Sequence, residues 1–276
     1  MYINLGIIGT PLEHSLSPRL HNYFFYCSNL NGGYTCFDVK EESSIIDILE
    51  IFKRYNFTGF NVTVPYKELL FDNVDVVDSV ANGTKSINTV CIKEGKLSGY
   101  NTDVYGFESM LQHNNICPDA KDILLIGAGG SAKSVLHCLS KYHFRSLTIV
   151  NKTLSRAKLL LMSLQLDIFN NILIKDTAFL NMKNSFDIVI NATSLGLGGE
   201  SFIDLKNISC TYAAIDLQYK RDLTPFLQQF RGRCDILLDG IEMLVYQGLT
   251  AFNIWTGQDL EIDVKIISDK LMENYA

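Results

Sequence analysis

The sequence predicts an α/β protein of two domains. Short apolar segments with strand character alternate with segments of helical periodicity from the amino terminus onward, which is the pattern of α/β domains. A glycine-rich loop between a buried strand and a helix occurs at residues 127–132, with more than a hundred residues before it. Because the 276-residue chain is long enough for about two domains, we expect one α/β domain ahead of this loop and another around it.

The first domain is predicted to consist of short strands and helices, which are in chain order strand Ile3–Ile8, a helix from Ser17 through Phe25, strand Tyr34–Val39, helix Ile45–Phe52 and strand Gly59–Val64. Ser17 is predicted as a helix N-cap and Pro18 as the first helical residue. Pro65 closes the third strand, and Tyr66-Lys67 is predicted to open the next helix.

A hairpin and a helix lead into the second domain. Ser86–Ile92 and Lys96–Asp103 are predicted strands on either side of a Glu-Gly turn at residues 94–95. Val104–Leu111 is predicted as a helix that joins the two domains.

The second domain repeats the alternation of strand and helix, with predicted elements at Ile123–Ile126, Val135–Leu139, Leu147–Val150, Ser155–Leu166, Ile172–Ile174, Phe186–Ile190 and Ala213–Leu217. The tail from Asp239 is predicted to be helical, with Met243, Leu244 and Gln247 on one face. Leu260–Met272 is predicted as a last amphipathic helix.

Composition narrows the class of function. A net charge of −6 and a pI near 5.4 disfavour nucleic acid and anionic membranes as partners. No apolar run reaches the roughly 18 residues of a membrane span, and the first residues lack a basic leader. The seven cysteines are scattered without a Cys-x-x-Cys pair, and the five histidines lack metal-ligand spacing. We therefore expect a cytoplasmic protein with reduced thiols and no metal.

The glycine loop predicts dinucleotide binding. In such loops the first glycine permits a tight turn, the second lets the backbone approach the phosphates, and a small residue lets helix pack on strand. The anion then rests on free N–H groups at the helix start. The candidate cofactor contacts here are Gly127, Ala128, Gly129, Gly130, Ser131 and Ala132. The alternative interpretation is a purely structural turn.

The turn after the next strand favours NADP over NAD. NAD-selective sites usually carry Asp or Glu there to hold the ribose 2′-OH. This chain has Asn151, followed by Lys152, Thr153 and Arg156. An amide with two nearby cations would bind a 2′-phosphate that a carboxylate would repel. The alternative is a helix N-cap with solvated cations.

Lys67 and Asp103 are candidates for proton transfer. A lysine held near a carboxylate and partly withdrawn from water can keep its charge and still give up a proton readily. Such a pair would stabilise the alkoxide that forms when a hydride reaches a carbonyl. Taken alone, however, Lys67 also fits an ordinary lysine at a helix start, and Ser15 and Ser17 also fit capping residues.

Eight motifs in one order extend this argument: His14-Ser-Leu-Ser-Pro18, Asn61-Val-Thr-Val-Pro-Tyr-Lys67, Ile87-Asn-Thr89, Gly99-Tyr-Asn-Thr-Asp103, Gly127-Ala-Gly-Gly130, Asn151-Lys-Thr153, Asn191-Ala-Thr-Ser194, and Asp239-Gly-Ile-Glu-Met-Leu244 with Gln247-Gly248. Together, from Ile7 to about Gly257, they resemble the shikimate dehydrogenase family. The resemblance implies NADPH-dependent reduction of 3-dehydroshikimate to shikimate, on the route to aromatic amino acids.

The resemblance also implies roles for matching positions. Ser15 and Ser17 would bind the substrate carboxylate, and Lys67 and Asp103 would be the catalytic pair. The residues that would bind ring hydroxyls are Asn61, Thr63, Asn88, Tyr219 and Gln247. Thr193 and Gly240 would join the glycine loop in binding NADP.

By the same resemblance, residues 1–103 and 240–276 would form the substrate-binding domain, with the C-terminal helices returning to it. Residues 104–239 would form a Rossmann-like NADP-binding domain. Lys152 stands where the family often has arginine, which weakens the expected preference for NADP. The stretch after Tyr219 lacks the family's usual proline two residues on.

Other functions remain open at this stage. A quinate/shikimate dehydrogenase would oxidise quinate with NAD or NADP. The biosynthetic enzyme is favoured by the serines at positions 15 and 17 and by an asparagine, rather than an acidic residue, at position 151. A non-catalytic NADP-binding sensor would not need both Lys67 and Asp103, and a purely structural protein leaves the clustered polar residues unexplained. The expected partner is a small-molecule substrate, and either a monomer or a homodimer is compatible with the sequence.

Overall fold

The computed structural model describes residues 2–164, 171–196 and 201–273. The chain divides into two compact units, the first of residues 1–106 with 244–271 and the second of residues 107–243 with 272–276. The boundaries fall within three helices, α4 (Thr102–His113), α8 (Ile241–Thr256) and α9 (Val264–Met272).

The first unit is a mixed α/β layer structure, and its remaining elements are β1 (Ile3–Gly9), α1 (Ser17–Ser28), β2 (Gly32–Asp38), α2 (Ile45–Arg54), β3 (Gly59–Val62), β4 (Val76–Val77), α3 (Ser79–Thr84), β5 (Thr89–Lys93), β6 (Lys96–Tyr100) and α9 (Val264–Met272). The described strands form one sheet in the order β2-β1-β3-β5-β6-β4. β1 runs parallel to β2 and β3, whereas β3, β5 and β6 are antiparallel neighbours. The predicted hairpin is confirmed, and Glu94 and Gly95 both have positive φ, as a two-residue hairpin turn requires.

The packing of α2 follows directly from its sequence. Ile45, Leu49 and Phe52 recur at helical spacing and are all buried. The Phe52 ring stacks on Phe57 with 4.3 Å between centroids and meets Phe37 edge-on at 4.7 Å. This aromatic cluster forms one side of the core beneath the sheet.

The prediction that Ser17 caps α1 is wrong. The carbonyl of Leu16 accepts the first helical hydrogen bond, from the N–H of Leu20 at 2.9 Å. Leu16 is therefore the N-cap residue and makes no side-chain cap, while Ser17 is already helical. The hydroxyl of Ser17 is thus not used as a cap.

The predicted helix opening at Tyr66-Lys67 is also wrong, because these residues form turns that lead into a short 3₁₀ helix, Leu69–Asn73. The Lys67 carbonyl accepts the N–H of Ile87 at 3.0 Å, so it is not used within a helix. The Phe71 N–H bonds three residues back to Glu68 instead, which is the 3₁₀ pattern. The loop that carries Lys67 is thereby held against the segment before β5.

The second unit is built around a parallel sheet, and its elements besides α4 and α8 are β7 (Asp122–Ile126), α5 (Gly130–Leu139), β8 (Ser146–Val150), α6 (Leu154–Ser163), β9 (Ile172–Lys175), β10 (Asn184–Asn191), β11 (Ile208–Asp216), α7 (Pro225–Gln228) and β12 (Ile236–Leu238). The sheet order is β12-β11-β10-β7-β8-β9, with every pair parallel. Numbered along the chain, this is the 3-2-1-4-5-6 arrangement of doubly wound nucleotide-binding sheets. The predicted α/β class and Rossmann-like topology are confirmed.

Several boundaries differ from the prediction. The sequence patterns did not predict four short elements, β4, α3, α7 and β12. The last helix begins at Val264 rather than Leu260, because the Asp263 carboxylate accepts the Ile266 N–H at 3.1 Å and caps it there. The predicted helix Ser155–Leu166 corresponds to α6, and its last two positions lie outside the described residues. Across the described ranges, no helix combines the length and the apolar character needed to cross a membrane.

We predict that Gly59→Ala destabilises the first unit. A methyl group there would collide with the Trp255 indole nitrogen and lie 2.5 Å from the Val90 carbonyl oxygen, two atoms that hydrogen-bond at 2.8 Å. We expect the free energy of unfolding in denaturant titration to fall by about 2–4 kcal/mol.

Gly33→Ala is the matched control for Gly59→Ala. Gly33 lies in β2, where an added methyl group would meet only the hydroxyl end of the exposed Tyr2 side chain. Equal free energies of unfolding for the two variants would contradict the packing argument.

Candidate active site

An ion pair lies at the centre of the polar cluster in the first unit. The Lys67 Nζ donates a hydrogen bond to Asp103 Oδ2 at 2.6 Å. The two side chains are only 14% and 11% exposed, so their interaction is screened less than that of a surface pair. A cation with restricted access to water is thus held against a fixed carboxylate, an arrangement suited to transferring a proton to a developing alkoxide.

The position of Asp103 in the fold supports its negative charge. Asp103 lies in the first turn of α4, where the positive end of the helix favours an anion. Its second oxygen, Oδ1, accepts a hydrogen bond from Asn88 Nδ2 at 2.8 Å. One carboxylate oxygen thus holds Lys67, and the other is bound to the segment before β5.

The buried amide of Asn88 connects three parts of this unit. Its Oδ1 accepts the Thr102 N–H at 2.7 Å. Its Nδ2 lies within hydrogen-bond distance of the Asp103 carboxylate, the Thr102 hydroxyl at 3.0 Å and Gln247 Oε1 at 3.3 Å. The Thr89 hydroxyl donates to its Oδ1 at 3.2 Å. Asn88 therefore holds β5, the start of α4 and the first-unit part of α8 in one network.

Gln247 is oriented by its own helix. Its Nε2 donates to the Leu244 carbonyl at 2.9 Å, while its Oε1 faces Asn88 and the Thr102 hydroxyl. The side chain is buried, being 7% exposed. Through Asn88, Gln247 belongs to the same polar cluster as Asp103.

Asn61, in β3, is bound by three neighbours. The Tyr34 hydroxyl donates to its Oδ1 at 2.6 Å, and its Nδ2 donates to the Asn88 carbonyl at 3.1 Å and the Thr89 hydroxyl at 3.0 Å. Burial raises the pKa of Tyr34 well above its usual range, so its phenol remains a donor. Thr63, two residues after Asn61, is half-buried.

Ser15 and Ser17 lie at the start of α1, where the N–H of Ser17 is 3.4 Å from the Ser15 hydroxyl. Ser17 is buried and Ser15 half-buried. The next turn carries the buried His21, whose ring stacks on Tyr34 with 4.3 Å between centroids. Burial lowers the pKa of His21 to about 3, so this histidine is neutral at neutral pH.

The sequence patterns did not identify Tyr34, Thr89 and Thr102, which orient the amides of Asn61 and Asn88. A signal was present for two of them. Thr89 ends the motif Ile87-Asn-Thr89, and Thr102 precedes Asp103 in Gly99-Tyr-Asn-Thr-Asp103. Tyr34 lies in β2, far from these motifs in sequence, and is brought to Asn61 by the pairing of β2, β1 and β3.

In the second unit the glycine loop has the geometry of an anion cradle. Gly127 has φ +112°, and a side chain there would meet the Ala192 carbonyl oxygen at 2.8 Å. Gly129 precedes α5 as its N-cap without a side-chain bond, and an added Cβ would have no atom within 4 Å. The first turn of α5 contains no acidic residue. Free N–H groups and open space at a helix start therefore fit the pyrophosphate of a dinucleotide.

The burial of the neighbouring loop residues also fits an anion-binding loop. Ala132 is fully buried, which lets α5 pack against the sheet, whereas Ala128, Gly130 and Ser131 are half-buried. The Gly127 N–H donates to the Val150 carbonyl at 2.8 Å, so the loop is joined to the end of β8. Asn151 follows β8 at the same edge of the sheet.

The turn after β8 presents polar groups to solvent. The Asn151 side chain donates to the Thr153 carbonyl at 2.8 Å. Thr153, not Asn151, is the N-cap of α6 and makes no side-chain cap. Lys152, Thr153 and Arg156 are exposed. Two flexible cations beside a neutral amide fit a phosphate group better than a free hydroxyl.

Thr193 and Gly240 follow β10 and β12, at the same carboxyl edge. The Thr193 N–H and hydroxyl both donate to Asn191 Oδ1, at 3.0 and 2.7 Å. Gly240 is in close contact with the Leu217 backbone, which leaves no room for a side chain. Beneath them the Asn191 amide donates to the buried Asp216 at 2.8 Å, and burial raises the pKa of Asp216.

Tyr219 is the one candidate substrate contact that belongs to the second unit. It lies half-buried in the loop after β11. Within the described ranges, no group of three or more His, Cys, Asp or Glu side chains has the arrangement of a metal site.

Three family models match consecutive parts of this chain. The shikimate dehydrogenase substrate-binding domain matches residues 7–90. The shikimate/quinate 5-dehydrogenase model matches residues 111–240, and the shikimate 5′-dehydrogenase C-terminal domain matches residues 240–264.

Individual proteins match almost the whole chain. The shikimate dehydrogenase (NADP(+)) of Staphylococcus aureus strain bovine RF122 is 36% identical over 265 residues, 95% of both chains. The solved structure of the Thermus thermophilus enzyme in complex with NADP(H) and shikimate has a TM-score of 0.83 at 28% identity, covering 98% of both chains. A Listeria monocytogenes enzyme in complex with shikimate and NAD has a TM-score of 0.84 at 26% identity, covering 98% of this chain and 96% of its own. This chain therefore belongs to the shikimate dehydrogenase family.

Proposed function

We propose that this protein catalyses the reversible NADPH-dependent reduction of 3-dehydroshikimate to shikimate, in the biosynthesis of aromatic amino acids. The observation that carries the proposal is the partly buried Lys67–Asp103 pair at 2.6 Å. Family membership supports shikimate as the compound on which this pair acts, since the Thermus relative was solved with NADP(H) and shikimate.

In the proposed reaction Lys67 transfers the proton. When bound, NADPH would provide the hydride that reduces the carbonyl carbon of the substrate. The Lys67 ammonium stabilises the negative charge that develops on the carbonyl oxygen and donates a proton to it. Asp103 holds the ammonium in place, while Asn88 and the start of α4 hold Asp103.

The polar residues of the first unit are proposed to bind the substrate. The Ser15 and Ser17 hydroxyls would donate to its carboxylate. The residues proposed for the ring hydroxyls are Asn61, Thr63, Asn88 and Gln247 from the first unit and Tyr219 from the second. Amides and hydroxyls suit an uncharged polyol ring because they offer donors and acceptors without a competing charge.

The second unit is proposed to bind NADP. The pyrophosphate would rest on N–H groups of residues 128–132, as the open space at Gly129 supports, while Gly127 provides the tight turn and donates its own N–H to Val150. Asn151, Lys152, Thr153 and Arg156 would hold the 2′-phosphate, and Thr193 and Gly240 would lie along the cofactor. We accordingly propose residues 1–103 with 240–276 as the substrate-binding domain and residues 104–239 as the NADP-binding domain.

A second candidate function is oxidation of quinate or shikimate with NAD as well as NADP. Lys152 supports it, because a lysine lacks the bidentate fork with which arginine grips a phosphate. A non-catalytic sensor is disfavoured, since it would not require the Lys67–Asp103 pair.

For the same biosynthetic role we propose a cytoplasmic location, and a monomer or a homodimer.

The direct test follows NADPH and NADH absorbance separately with 3-dehydroshikimate, and then NADP and NAD reduction with shikimate and quinate. We expect turnover with 3-dehydroshikimate and NADPH, and with shikimate and NADP. Turnover with quinate alone would replace the proposal with the second candidate, and no turnover with any pair would refute both.

We predict that Lys67→Ala lowers kcat by about 10²–10⁴-fold, because the proton donor is lost. KM for 3-dehydroshikimate should change modestly, since other residues bind the ring and the carboxylate. Steady-state kinetics measures both constants. Lys53→Ala, which removes a surface lysine paired with Glu50 on α2, is the control and should leave kcat unchanged; a near-normal kcat for Lys67→Ala would exclude its catalytic role.

We predict that Gly129→Ala raises KM for NADPH by about tenfold or more, because the methyl group would occupy the path of the pyrophosphate. The fold should tolerate it. Gly129 has φ −95°, and its added Cβ has open space around it. We therefore expect the free energy of unfolding to stay within about 0.5 kcal/mol, and an unchanged KM would contradict the assigned cradle.

We predict that Asn151→Asp lowers the ratio of kcat/KM for NADPH to that for NADH by about tenfold or more, the size of one charged hydrogen bond. The added carboxylate would repel the 2′-phosphate and accept from a ribose hydroxyl. Lys158→Gln on α6 makes the same change in net charge farther along the helix and serves as the control. Equal ratios for Asn151→Asp and the parent protein would refute the proposed role of this turn.

A further inference from the structure

Two free cysteines of the second unit lie in contact. Cys210 is in β11 and Cys234 precedes β12, 24 positions later in sequence, and their Sγ atoms are 3.3 Å apart. Neither residue belongs to the proposed substrate or cofactor site. The proposed dehydrogenase function therefore does not explain why these two thiols lie in contact.

The backbone holds the two thiols together. β11 and β12 are parallel neighbours with Ala213 opposite Ile236, and the Cys234 Sγ lies 3.3 Å from the Tyr212 carbonyl oxygen and 3.1 Å from that of Ile236. The two sulfur atoms, 3.3 Å apart, need to approach by only a little over 1 Å to reach the roughly 2.05 Å of a disulfide bond.

The two thiols have different chemical environments. Cys210 is buried, 2% exposed, whereas Cys234 is partly exposed. The hydrogen bond that Cys210 donates lowers the pKa of Cys234 to about 7, and the same bond together with burial raises the pKa of Cys210. By contrast, burial raises the pKa of the isolated Cys138 to about 12. Cys234 is thus the accessible nucleophile and Cys210 a protected neighbour.

We propose that Cys234 is a site of reversible oxidation by peroxide and that Cys210 converts the product into a disulfide. The Cys234 thiolate attacks one oxygen of hydrogen peroxide, which forms an S–O bond, breaks the O–O bond and releases hydroxide. The Cys210 sulfur then attacks the Cys234 sulfenic acid, forming the S–S bond, and its proton leaves with the displaced oxygen as water. Two thiols and one peroxide yield one disulfide and two waters.

The disulfide would stabilise the edge of the sheet without reaching the cofactor site. Cys210 lies near the amino end of β11 and Cys234 before β12, whereas Thr193 and Gly240 follow the carboxyl ends of their strands. The bond would close the loop that contains α7 and tie edge strand β12 to β11. We therefore expect oxidation to raise the thermal stability and to leave turnover within about twofold of that of the reduced protein.

The test treats the reduced full-length protein with about one equivalent of hydrogen peroxide, blocks the remaining thiols by alkylation, and maps peptides without reduction. We expect a crosslinked peptide pair that contains Cys210 and Cys234 as the main product, reversed by dithiothreitol. We also expect Tm to rise by roughly 5 °C or more.

Three variants sharpen the test. Cys234→Ser should abolish the crosslink and the rise in Tm. Cys210→Ala should instead leave a sulfenic acid at Cys234 that dimedone labels. Cys117→Ser removes an exposed thiol beside Asp119 and should keep both the crosslink and the shift in Tm.

Oxidation at the exposed Cys27, Cys36 or Cys117 while Cys234 stays reduced would overturn the proposal. A Cys210–Cys234 crosslink in wild-type protein without a rise in Tm would support the oxidation site and overturn the expected stabilisation of the sheet edge. Both readouts are independent of the enzymatic activity proposed above.

Discussion

The buried amide of Asn88 is the interaction on which the first unit's polar cluster depends. Its oxygen takes the first N–H of α4, and its nitrogen faces Asp103 and Gln247. A buried amide stabilises a fold only when its hydrogen bonds are satisfied, so the loop before β5, the start of α4 and the first-unit part of α8 are held in one arrangement. Asp103, and through it Lys67, takes its position from this requirement.

Much of the fold followed from local sequence patterns. Apolar runs predicted the long buried strands, the Glu-Gly turn predicted the hairpin, and the glycine loop predicted where the parallel sheet begins. The patterns did not predict β4, α3, α7 and β12, because strands of two or three residues and helices of four to six are too short to establish a period. The helix cap at Ser17 and the helix start at Lys67 were predicted wrongly for a related reason. The Leu16 carbonyl accepts the Leu20 N–H, and the Lys67 carbonyl accepts the Ile87 N–H, so neither Ser17 nor Lys67 takes the role that its local sequence favours.

The residues of the candidate site could be predicted from the sequence only in part. Residue types and motif order singled out Lys67, Asp103 and Gln247. Lys67 contacts Asp103, and Asn88 links Asp103 to Gln247. The residues that orient Asn61 and Asn88 were harder to recognise. Tyr34 reaches Asn61 only through strand pairing, and a tyrosine in a strand is ordinarily a packing residue. Long-range contacts of this kind leave no periodic trace in a single sequence.

The hydrogen bonds of Asn61 limit what it can recognise. The Asn88 carbonyl and the Thr89 hydroxyl take both N–H groups, and Tyr34 takes one acceptor position of Oδ1. One lone pair of Oδ1 remains. In the proposed role Asn61 would therefore select ring substituents that are hydrogen-bond donors. A methoxy or fluoro analogue of similar size would lose this bond, whereas an amino analogue would keep it. Selectivity at this position would thus rest on the direction of an O–H bond and not on the volume of the pocket.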